Sequence, residues 1–358
     1  MQLLHQGARG TMAKNLREVA EMAGVSTATV SRVFSRSPLV TSRTRDRVMQ
    51  AARQCNYHPH SAARAMRRGR FGRVACVVMR YGGKGTSHST YTGYLDGATD
   101  ELADRGYSAV FEPFHIDVRT KEFLEPPQLF SELAVDGIIG IDATGLVPDH
   151  VDERLAEMGS PVVWVNREPK RGVVCVNADE YGTARMLTRY VIEQGHRRIG
   201  YIGFVADHYA ARDRYRGVLD ELTEADLDTS ALHLARSKWT YPGIARTVLV
   251  RIPRPTAAIC YNRTVYDGAL HVLAHEGARM PDDVALTYFA SPWEVQYRSS
   301  FLTPMMEIPE ILMAKRAVDI LSELMAGGLP PDHATPIPGR LITTDTTVPQ
   351  DGNLESKR

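Results

Sequence analysis

Hydrophobic positions follow two different spacings along this chain of 358 residues. Over roughly residues 15–55, apolar residues recur every three or four positions, which predicts three short amphipathic helices. From residue 73 onward, short apolar runs alternate with longer amphipathic stretches. The apolar runs predict buried strands and the amphipathic stretches predict helices. Repeated strand–helix units favour parallel sheets with helices on both faces, so the expected fold class is α/β.

The predicted elements of this second part are too many for one small sheet. We therefore expect two lobes, with ligands bound in the cleft between them at the carboxyl ends of strands. The predicted strands are residues 73–79, 108–114, 137–141, 161–166, 173–176, 199–204, 257–261, 284–289 and 340–343. The predicted helices are residues 91–105, 129–134, 150–158, 181–194, 214–223, 241–249, 266–275 and 308–325.

A glycine separates the first two helices of the N-terminal part. Gly24 suits the left-handed conformation that ends a helix, and Ser26 is placed to cap the next one. The second helix, which runs to Phe34, carries small and polar residues on its outer face. This layout predicts an all-α helix-turn-helix headpiece whose second helix enters the DNA major groove. An ordinary helical hairpin is the alternative on these residues alone.

Charge is distributed unevenly. The formal net charge is +1, but residues 1–73 carry +11 and the remainder carries −10. A basic N-terminal unit indicates a polyanionic partner such as DNA.

The four cysteines form no C-x-x-C pair, which favours buried thiols in a reducing compartment over disulfides or a metal site.

Signals for membranes and for catalysis are missing from the sequence. It has no apolar run of 18 residues and no signal-peptide core, so we expect a cytoplasmic protein without a membrane span. It also lacks a nucleophile motif of the G-x-S-x-G kind. We expect neither enzymatic activity nor a cofactor.

Residues 14–73 resemble the DNA-binding headpiece of the LacI/GalR (lactose-repressor) family of transcriptional regulators. The resemblance rests on V-A-E-M-A-G-V-S-T-A-T-V-S-R-V-F, V-T-S-R-T-R-D-R-V and Y-H-P-H-S-A-A-R-A-M. It implies that the second helix reads bases. Arg32 has the bidentate donors that suit guanine, whereas Ala28 offers only an apolar contact. The residues expected at the major groove are Ser26, Thr27, Ala28, Thr29, Ser31 and Arg32.

The same resemblance implies a hinge helix that enters the minor groove. The family places a leucine wedge where this chain has Met66, which is still an apolar side chain able to unstack a base step. Arg64 is the usual hinge arginine, and His60 replaces the usual asparagine. The hinge residues expected at DNA are His60, Ala63, Arg64 and Met66.

The rest of the chain resembles the effector-binding core of the same family, which has the fold of type I periplasmic sugar-binding proteins. The matching blocks are P-V-V-W-V-N-R, Y-V-I-E-Q-G-H-R-R-I-G-Y-I-G, R-P-T-A-A-I-C-Y-N and L-T-P-M-M-E. Arg214 can grip a carboxylate, a phosphate or vicinal oxygens, and Trp239 offers a flat face to a ring. The resemblance implies effector contacts from Arg80, Asn166, Arg214, Trp239, Asn262, Arg263 and Glu307.

Departures from the family pattern change the expected chemistry of the cleft. Arg263 and Asn166 stand where the family commonly has aspartates, and Arg80 replaces the aspartate after the first strand. Losing carboxylates and gaining cations leads to the hypothesis of an anionic effector, such as a sugar phosphate or sugar acid. The alternative is that Arg263 and Arg80 point outward or pair with Glu307, which leaves a neutral sugar or no effector.

These observations predict the organisation of the chain. We expect a disordered extension at 1–13, a helix-turn-helix domain at 14–58, a hinge helix and basic linker at 59–73, a core at 74–348 and a flexible tail at 349–358. The first lobe should take about 74–175 and 305–335, and the second about 177–302 and 338–348.

The function implied is that of a sequence-specific DNA-binding repressor. It would act as a homodimer on a pseudo-palindromic double-stranded DNA operator, under the control of a small-molecule effector. The alternative is a regulator of the same kind whose degenerate cleft responds to a protein partner or to no ligand.

Overall fold

The structure is a computed structural model with two units, Met1–Phe71 and Gly72–Arg358. Each unit has its own hydrophobic core. Among the described helices, none has the length and apolar character needed to cross a lipid bilayer. The described residues are 16–34, 39–55, 57, 70–81, 91–117, 119–131, 134–142, 147–204, 208–235, 241–296, 303–328 and 335–343.

Three short helices form the described part of the first unit. Their apolar stripes meet in one core, where Val19, Val30 and Val48 are fully buried. Thr41 caps the third helix by accepting a hydrogen bond from the Thr44 backbone N–H at 3.3 Å. The three helices predicted from the hydrophobic spacing are therefore present. They are α1 (Leu16–Ala23), α2 (Thr27–Phe34) and α3 (Ser42–Gln54).

The first lobe of the core contains a parallel sheet covered on both faces. Successive residues of an inner strand of this sheet face opposite sides, so Val74 packs toward one pair of helices while Ala75 packs toward the other face. The strands are β1 (Arg73–Tyr81), β2 (Ser108–Ile116), β3 (Gly137–Ile141), β4 (Val162–Val165) and β5 (Cys175–Val176), in the order β2-β1-β3-β4-β5. Its helices are α4 (Thr92–Asp104) and α5 (Asp149–Glu157).

The second lobe repeats this arrangement with a second sheet. Ile259 packs toward one pair of helices and Cys260 toward the other. Its helices are α6 (Glu180–Glu193), α7 (Tyr209–Glu224), α8 (Tyr241–Leu249), α9 (Arg263–His275) and α10 (Pro292–Gln296). Its strands are β6 (Ile199–Phe204), β7 (Leu232–Ala235), β8 (Ala257–Cys260), β9 (Ala285–Ala290), β10 (Met305–Glu307) and β11 (Arg340–Ile342), in the order β11-β10-β9-β8-β6-β7. Within this sheet β11 is antiparallel to β10.

The chain passes between the lobes three times among the described elements. It leaves the first lobe after β5, returns after β10 to form α11 (Glu310–Met325) on the first sheet, and ends in the second sheet with β11. Two of these crossing segments are joined by hydrogen bonds from Asp179 N to Ile337 O at 2.8 Å and from Ile337 N to Asn177 O at 2.9 Å. The return to the first lobe therefore follows residue 307, whereas the sequence placed it at about residue 305.

Short elements account for the other differences from the predicted pattern. Residues 128–130 form one turn of 3-10 helix where a helix over 129–134 was predicted. The sequence does not predict the strands β7 and β10, because runs of four and three residues are too short for a pattern to stand out. Helix α7 begins at Tyr209 rather than at residue 214, since His208 caps it by accepting a hydrogen bond from Ala210 N at 3.1 Å.

Candidate functional site

The turn between α1 and α2 has the geometry of a helix-turn-helix. Gly24 adopts a left-handed conformation with φ of +59°, and the Val25 backbone N–H reaches Ala20 O at 3.0 Å. Ser26 then caps α2 by accepting a hydrogen bond from the Thr29 backbone N–H at 3.1 Å. This cap fixes the direction in which α2 leaves the turn.

The outer face of α2 is available for recognition. Ser26, Thr27, Ala28 and Arg32 are exposed, while Thr29 and Ser31 are half-buried at its edge. The next helix adds exposed cations that suit DNA phosphates. They are Arg43, Arg47 and Arg53. The hinge residues predicted to enter the minor groove, His60, Ala63, Arg64 and Met66, lie outside the described residues.

A cavity of about 150 Å³ opens between the two lobes of the core. It lies where strands of both sheets end and several helices begin, the usual position of ligand sites in such folds. The first lobe contributes Tyr94, Asn166, Ile308 and Glu310. The second lobe contributes Glu180, His208, Ala210, Arg214, Tyr261, Asn262, Arg263, Thr264, Phe289, Ala290, Ser291 and Glu294.

Arg214 reaches the cavity but is already engaged by the protein. Its Nε and Nη2 atoms donate to the two carboxylate oxygens of Glu180 at 2.6 and 3.0 Å, and Nη1 donates to Tyr261 O at 3.0 Å. The guanidinium also lies 4.9 Å from the Tyr261 ring centre and 4.6 Å from that of Phe289. The positive charge expected to hold an anionic effector is thus balanced by a carboxylate buried beside it.

Asn166 lines the cavity in a left-handed conformation, with φ of +60°. Its amide donates to Asp142 O at 2.9 Å, and its Oδ1 accepts a hydrogen bond from the Tyr209 hydroxyl at 3.0 Å. Asparagine tolerates this backbone conformation better than most residues do. Asparagine therefore suits this position because it tolerates the left-handed backbone conformation and because its side chain makes hydrogen bonds, one of them across the cleft.

Asn262 and Arg263 form the rim of the cavity at the start of α9. The Asn262 side chain caps that helix by accepting from Val265 N at 3.0 Å. Arg263 is exposed and donates from Nε to Asp267 at 2.7 Å. An arginine one turn from an aspartate on a solvated helix adds little net positive charge to a ligand site.

Two residues predicted for the cleft are not in the lining of this cavity. Glu307 lies opposite Arg340 in the antiparallel register of β10 and β11, and accepts a hydrogen bond from its Nε at 2.7 Å. This cross-strand ion pair directs its carboxylate toward β11. Arg80 is buried at the end of β1. Trp239, the predicted aromatic contact, lies outside the described residues.

Three carboxyl groups that the sequence does not predict for the cleft line the cavity. Glu180, Glu294 and Glu310 stand beside two guanidinium groups, so the described lining has no excess of positive charge. Burial raises the pKa of Glu294, although hydrogen bonds from Ser291 act in the opposite direction. Each of these glutamates lies in the first turn of a helix that follows a strand. That position in the sequence is a signal for the cleft, because ligands in such folds bind at the carboxyl ends of strands.

A helix-turn-helix joined to a two-lobed core with a cavity between its lobes defines a class: DNA-binding regulators with a ligand-binding core. Residues 15–60 match bacterial regulatory proteins of the lacI family, and residues 188–347 match the periplasmic binding protein-like domain. The transcriptional regulator CelR of Thermobifida fusca is 30% identical over 319 residues, which cover 87% of this chain and 92% of CelR. This chain belongs to the lacI family of transcriptional regulators.

Other relatives agree with this assignment. The regulator GalR of Salmonella typhimurium is 28% identical over 326 residues, covering 89% of this chain and 92% of GalR. A solved CelR–cellobiose complex is 26% identical, with a TM-score of 0.62 over 93% of this chain and 99% of that one. A lac repressor dimer bound to operator shares the fold, with a TM-score of 0.73 at 19% identity, over 94% of this chain and 100% of that one.

Proposed function

We propose that this chain is a cytoplasmic repressor that binds a pseudo-palindromic double-stranded DNA operator as a homodimer. We further propose that a neutral, hydroxyl-rich small molecule of the sugar class binds in the cleft cavity and changes the affinity for that operator. The observation that carries the proposal is that both lobes line one cavity. A ligand that contacts both lobes favours one lobe arrangement over another and shifts the population accordingly.

The chemistry of the lining supports an uncharged ligand. Tyr94, Tyr261 and Phe289 offer aromatic surface against which the C–H face of a sugar ring packs. Carboxyl, amide and guanidinium groups of the lining supply both donors and acceptors for hydroxyl groups. A phosphate or carboxylate would meet three carboxyl groups and an arginine already paired with Glu180. The proposal thus replaces the anionic effector inferred from the sequence.

The exposed face of α2 supports direct base reading. We assign Arg32 to a guanine edge and Ala28 to an apolar contact, with Ser26, Thr27, Thr29 and Ser31 at the surrounding bases and phosphates. We assign His60, Ala63, Arg64 and Met66 to the minor groove on the resemblance of the sequence alone. One headpiece contacts too few base pairs to select a genomic site, which is why the proposal includes a homodimer.

Calorimetry of the full chain tests the ligand class. The probes are cellobiose, glucose and ribose, with glucose 6-phosphate and ribose 5-phosphate as charged counterparts. We expect at least one neutral sugar to bind and its phosphate to bind more weakly. Tighter binding of a sugar phosphate than of every neutral sugar would overturn the assignment.

Selection from random-sequence DNA tests the DNA-binding role. We expect the selected sites to be pseudo-palindromes, bound by two copies of the chain as counted by mass photometry. A mobility-shift titration on the selected site, with and without the best sugar, then measures the coupling. A selected site whose affinity is the same with and without every sugar would favour the degenerate-cleft alternative.

A further inference from the structure

The carboxyl group of Glu310, a residue that lines the cleft cavity, has one buried oxygen without a hydrogen-bonding partner in the described part of the chain. Glu310, the first residue of α11, lines the cavity and is only 8% exposed. Its Oε2 atom has no hydrogen-bonding partner among the described residues. Buried polar atoms are normally paired, and a carboxyl group with an unpaired buried oxygen is more stable as the neutral acid than as the carboxylate.

The position of this carboxyl group is set by a neighbouring glycine. A Cβ atom added to Gly93 on α4 would lie 2.4 Å from Glu310 Oε2 and 2.9 Å from Glu310 Cβ. Any residue other than glycine at position 93 would therefore displace the glutamate side chain. The packing of α4 against α11 holds the carboxyl group at the cavity wall.

The charged and titratable groups around Glu310 come from four helices. Glu180 on α6 and Glu294 on α10 disfavour a second negative charge, and Tyr94 on α4 is neutral. Arg214 on α7 favours ionisation of Glu310, but its hydrogen bonds go to Glu180 and Tyr261. Burial, followed by the charges of Glu294 and Glu180, raises the pKa of Glu310 well above its ordinary value. Arg214 and the Gly93 backbone N–H lower the pKa but are outweighed.

We propose that Glu310 is a specificity-determining residue that binds as a neutral carboxylic acid and donates an O–H hydrogen bond to an acceptor oxygen of an uncharged ligand. The inference rests on the proposed function, since it concerns the same cavity. Because the pKa of Glu310 is raised, the donor persists above the ordinary range of a glutamate and is lost as pH rises through that raised value. Ionised Glu310 would then repel Glu180 and Glu294 across the cleft. Ligand affinity should fall with rising pH.

Two substitutions separate the donor from the charge. Glu310→Gln keeps the shape of the side chain and an N–H donor but cannot ionise. Glu310→Leu keeps a similar volume but has neither a hydrogen-bond donor nor an ionisable group. The probe is the tightest-binding neutral sugar among cellobiose, glucose and ribose, titrated by calorimetry between about pH 6 and about pH 9. We expect the glutamine variant to bind within a few-fold of the parent without its pH dependence. We expect the leucine variant to bind on the order of tenfold or more weakly.

Glu307→Gln is the matched control, because Glu307 pairs with Arg340 and does not line the cavity. It should retain both the affinity and the pH profile of the parent. Circular dichroism checks that the leucine variant is folded. Equal losses in the glutamine and leucine variants, or a parent affinity that rises with pH, would overturn the proposal.

Infrared spectroscopy of the ligand-free full chain provides a readout that does not depend on the ligand. The difference spectrum between the parent and Glu310→Gln should contain the carbonyl stretch of a protonated carboxylic acid at neutral pH. A carboxylate signature in its place would overturn the inference. If no probe sugar binds, the proposed function fails in the calorimetry, whereas this band still decides the protonation of Glu310.

Discussion

His208 in the second lobe donates a hydrogen bond from Nε2 to the backbone carbonyl of Asn166 in the first lobe, at 3.0 Å. The ring proton is on Nε2, because the other ring nitrogen, Nδ1, accepts a hydrogen bond from the Ala210 backbone N–H at 3.1 Å. Tyr209 adds a second link from its hydroxyl to Asn166 Oδ1 at 3.0 Å. The lobes are therefore joined beside the cavity through one residue that also lines it.

Tyr209→Phe should weaken this link between the lobes. It removes a hydroxyl and leaves the Asn166 Oδ1 atom with one partner fewer, so we expect a loss of about 1–3 kcal/mol in the free energy of unfolding. Urea denaturation measures the loss, and small-angle scattering measures the separation of the lobes. Tyr181→Phe is the matched control, since its hydroxyl bonds Asp220 within the second lobe. An equal change in scattering for both variants would contradict the assignment.

Glu180→Ala should be strongly destabilising because it leaves the Arg214 guanidinium buried without its carboxylate. Removing one partner of such a pair costs about 3–5 kcal/mol. Chemical denaturation of the full chain measures this loss. Glu168→Ala serves for comparison, because Glu168 and its partner Arg212 are both about half exposed to solvent. Similar losses for the two variants would show that the burial of Arg214 does not make the loss of its carboxylate partner more costly.

Arg32→Ala should reduce affinity for the selected operator by about 1–3 kcal/mol and relax the preference at one base pair. The reason is that Arg32 is assigned to a base edge. Arg47→Ala, on the exposed face of α3, should instead weaken binding to all DNA equally and reduce the salt dependence. Fluorescence anisotropy with the operator and single-base variants distinguishes the two. A uniform loss for Arg32→Ala would place that residue at a phosphate.

Glu221 should contribute stability that disappears in acid. Burial opposes its ionisation, but hydrogen bonds from Arg189 and Arg185 outweigh burial and hold its pKa below the ordinary 4.5. A carboxyl group whose pKa is lower in the folded state than in the unfolded state stabilises the fold at pH values above its unfolded-state pKa. That stabilisation is lost as the pH falls through the folded-state pKa. The difference in unfolding free energy between the parent and Glu221→Gln should therefore shrink below about pH 4.5. A difference that stays constant with pH would contradict this account.

The elements that could be predicted from the sequence were those with a local cause. Helical spacing, Gly24 and the cap at Ser26 predict the helix-turn-helix because they act within a few residues. Strand–helix alternation predicts the two lobes, which the structure and the family assignment confirm. Register and pairing between distant segments could not be predicted in this way, and β7 and β10 were missed.

The cleft shows this limit most clearly. A single sequence reveals that Arg214 is present, but not that Glu180, on another helix, occupies its donors. Similarly, Glu307 was predicted to line the cleft, and only the register with β11 shows that it faces Arg340. Glu310 is three residues away and does line the cavity. Long-range pairing, rather than residue type, decides which charges reach a ligand.

The return of the chain to the first lobe has a consequence for synthesis on the ribosome. Helix α11 covers one face of the first sheet with Met313, Val318 and Leu321, all fully buried in the finished protein. That helix emerges only after nearly all strands of the second lobe have been made. Until then the part of this apolar face that α11 covers stays exposed on the nascent first lobe, and chaperones recognise such surfaces. The same topology that couples the lobes thus delays completion of the first lobe until α11 itself has left the ribosome.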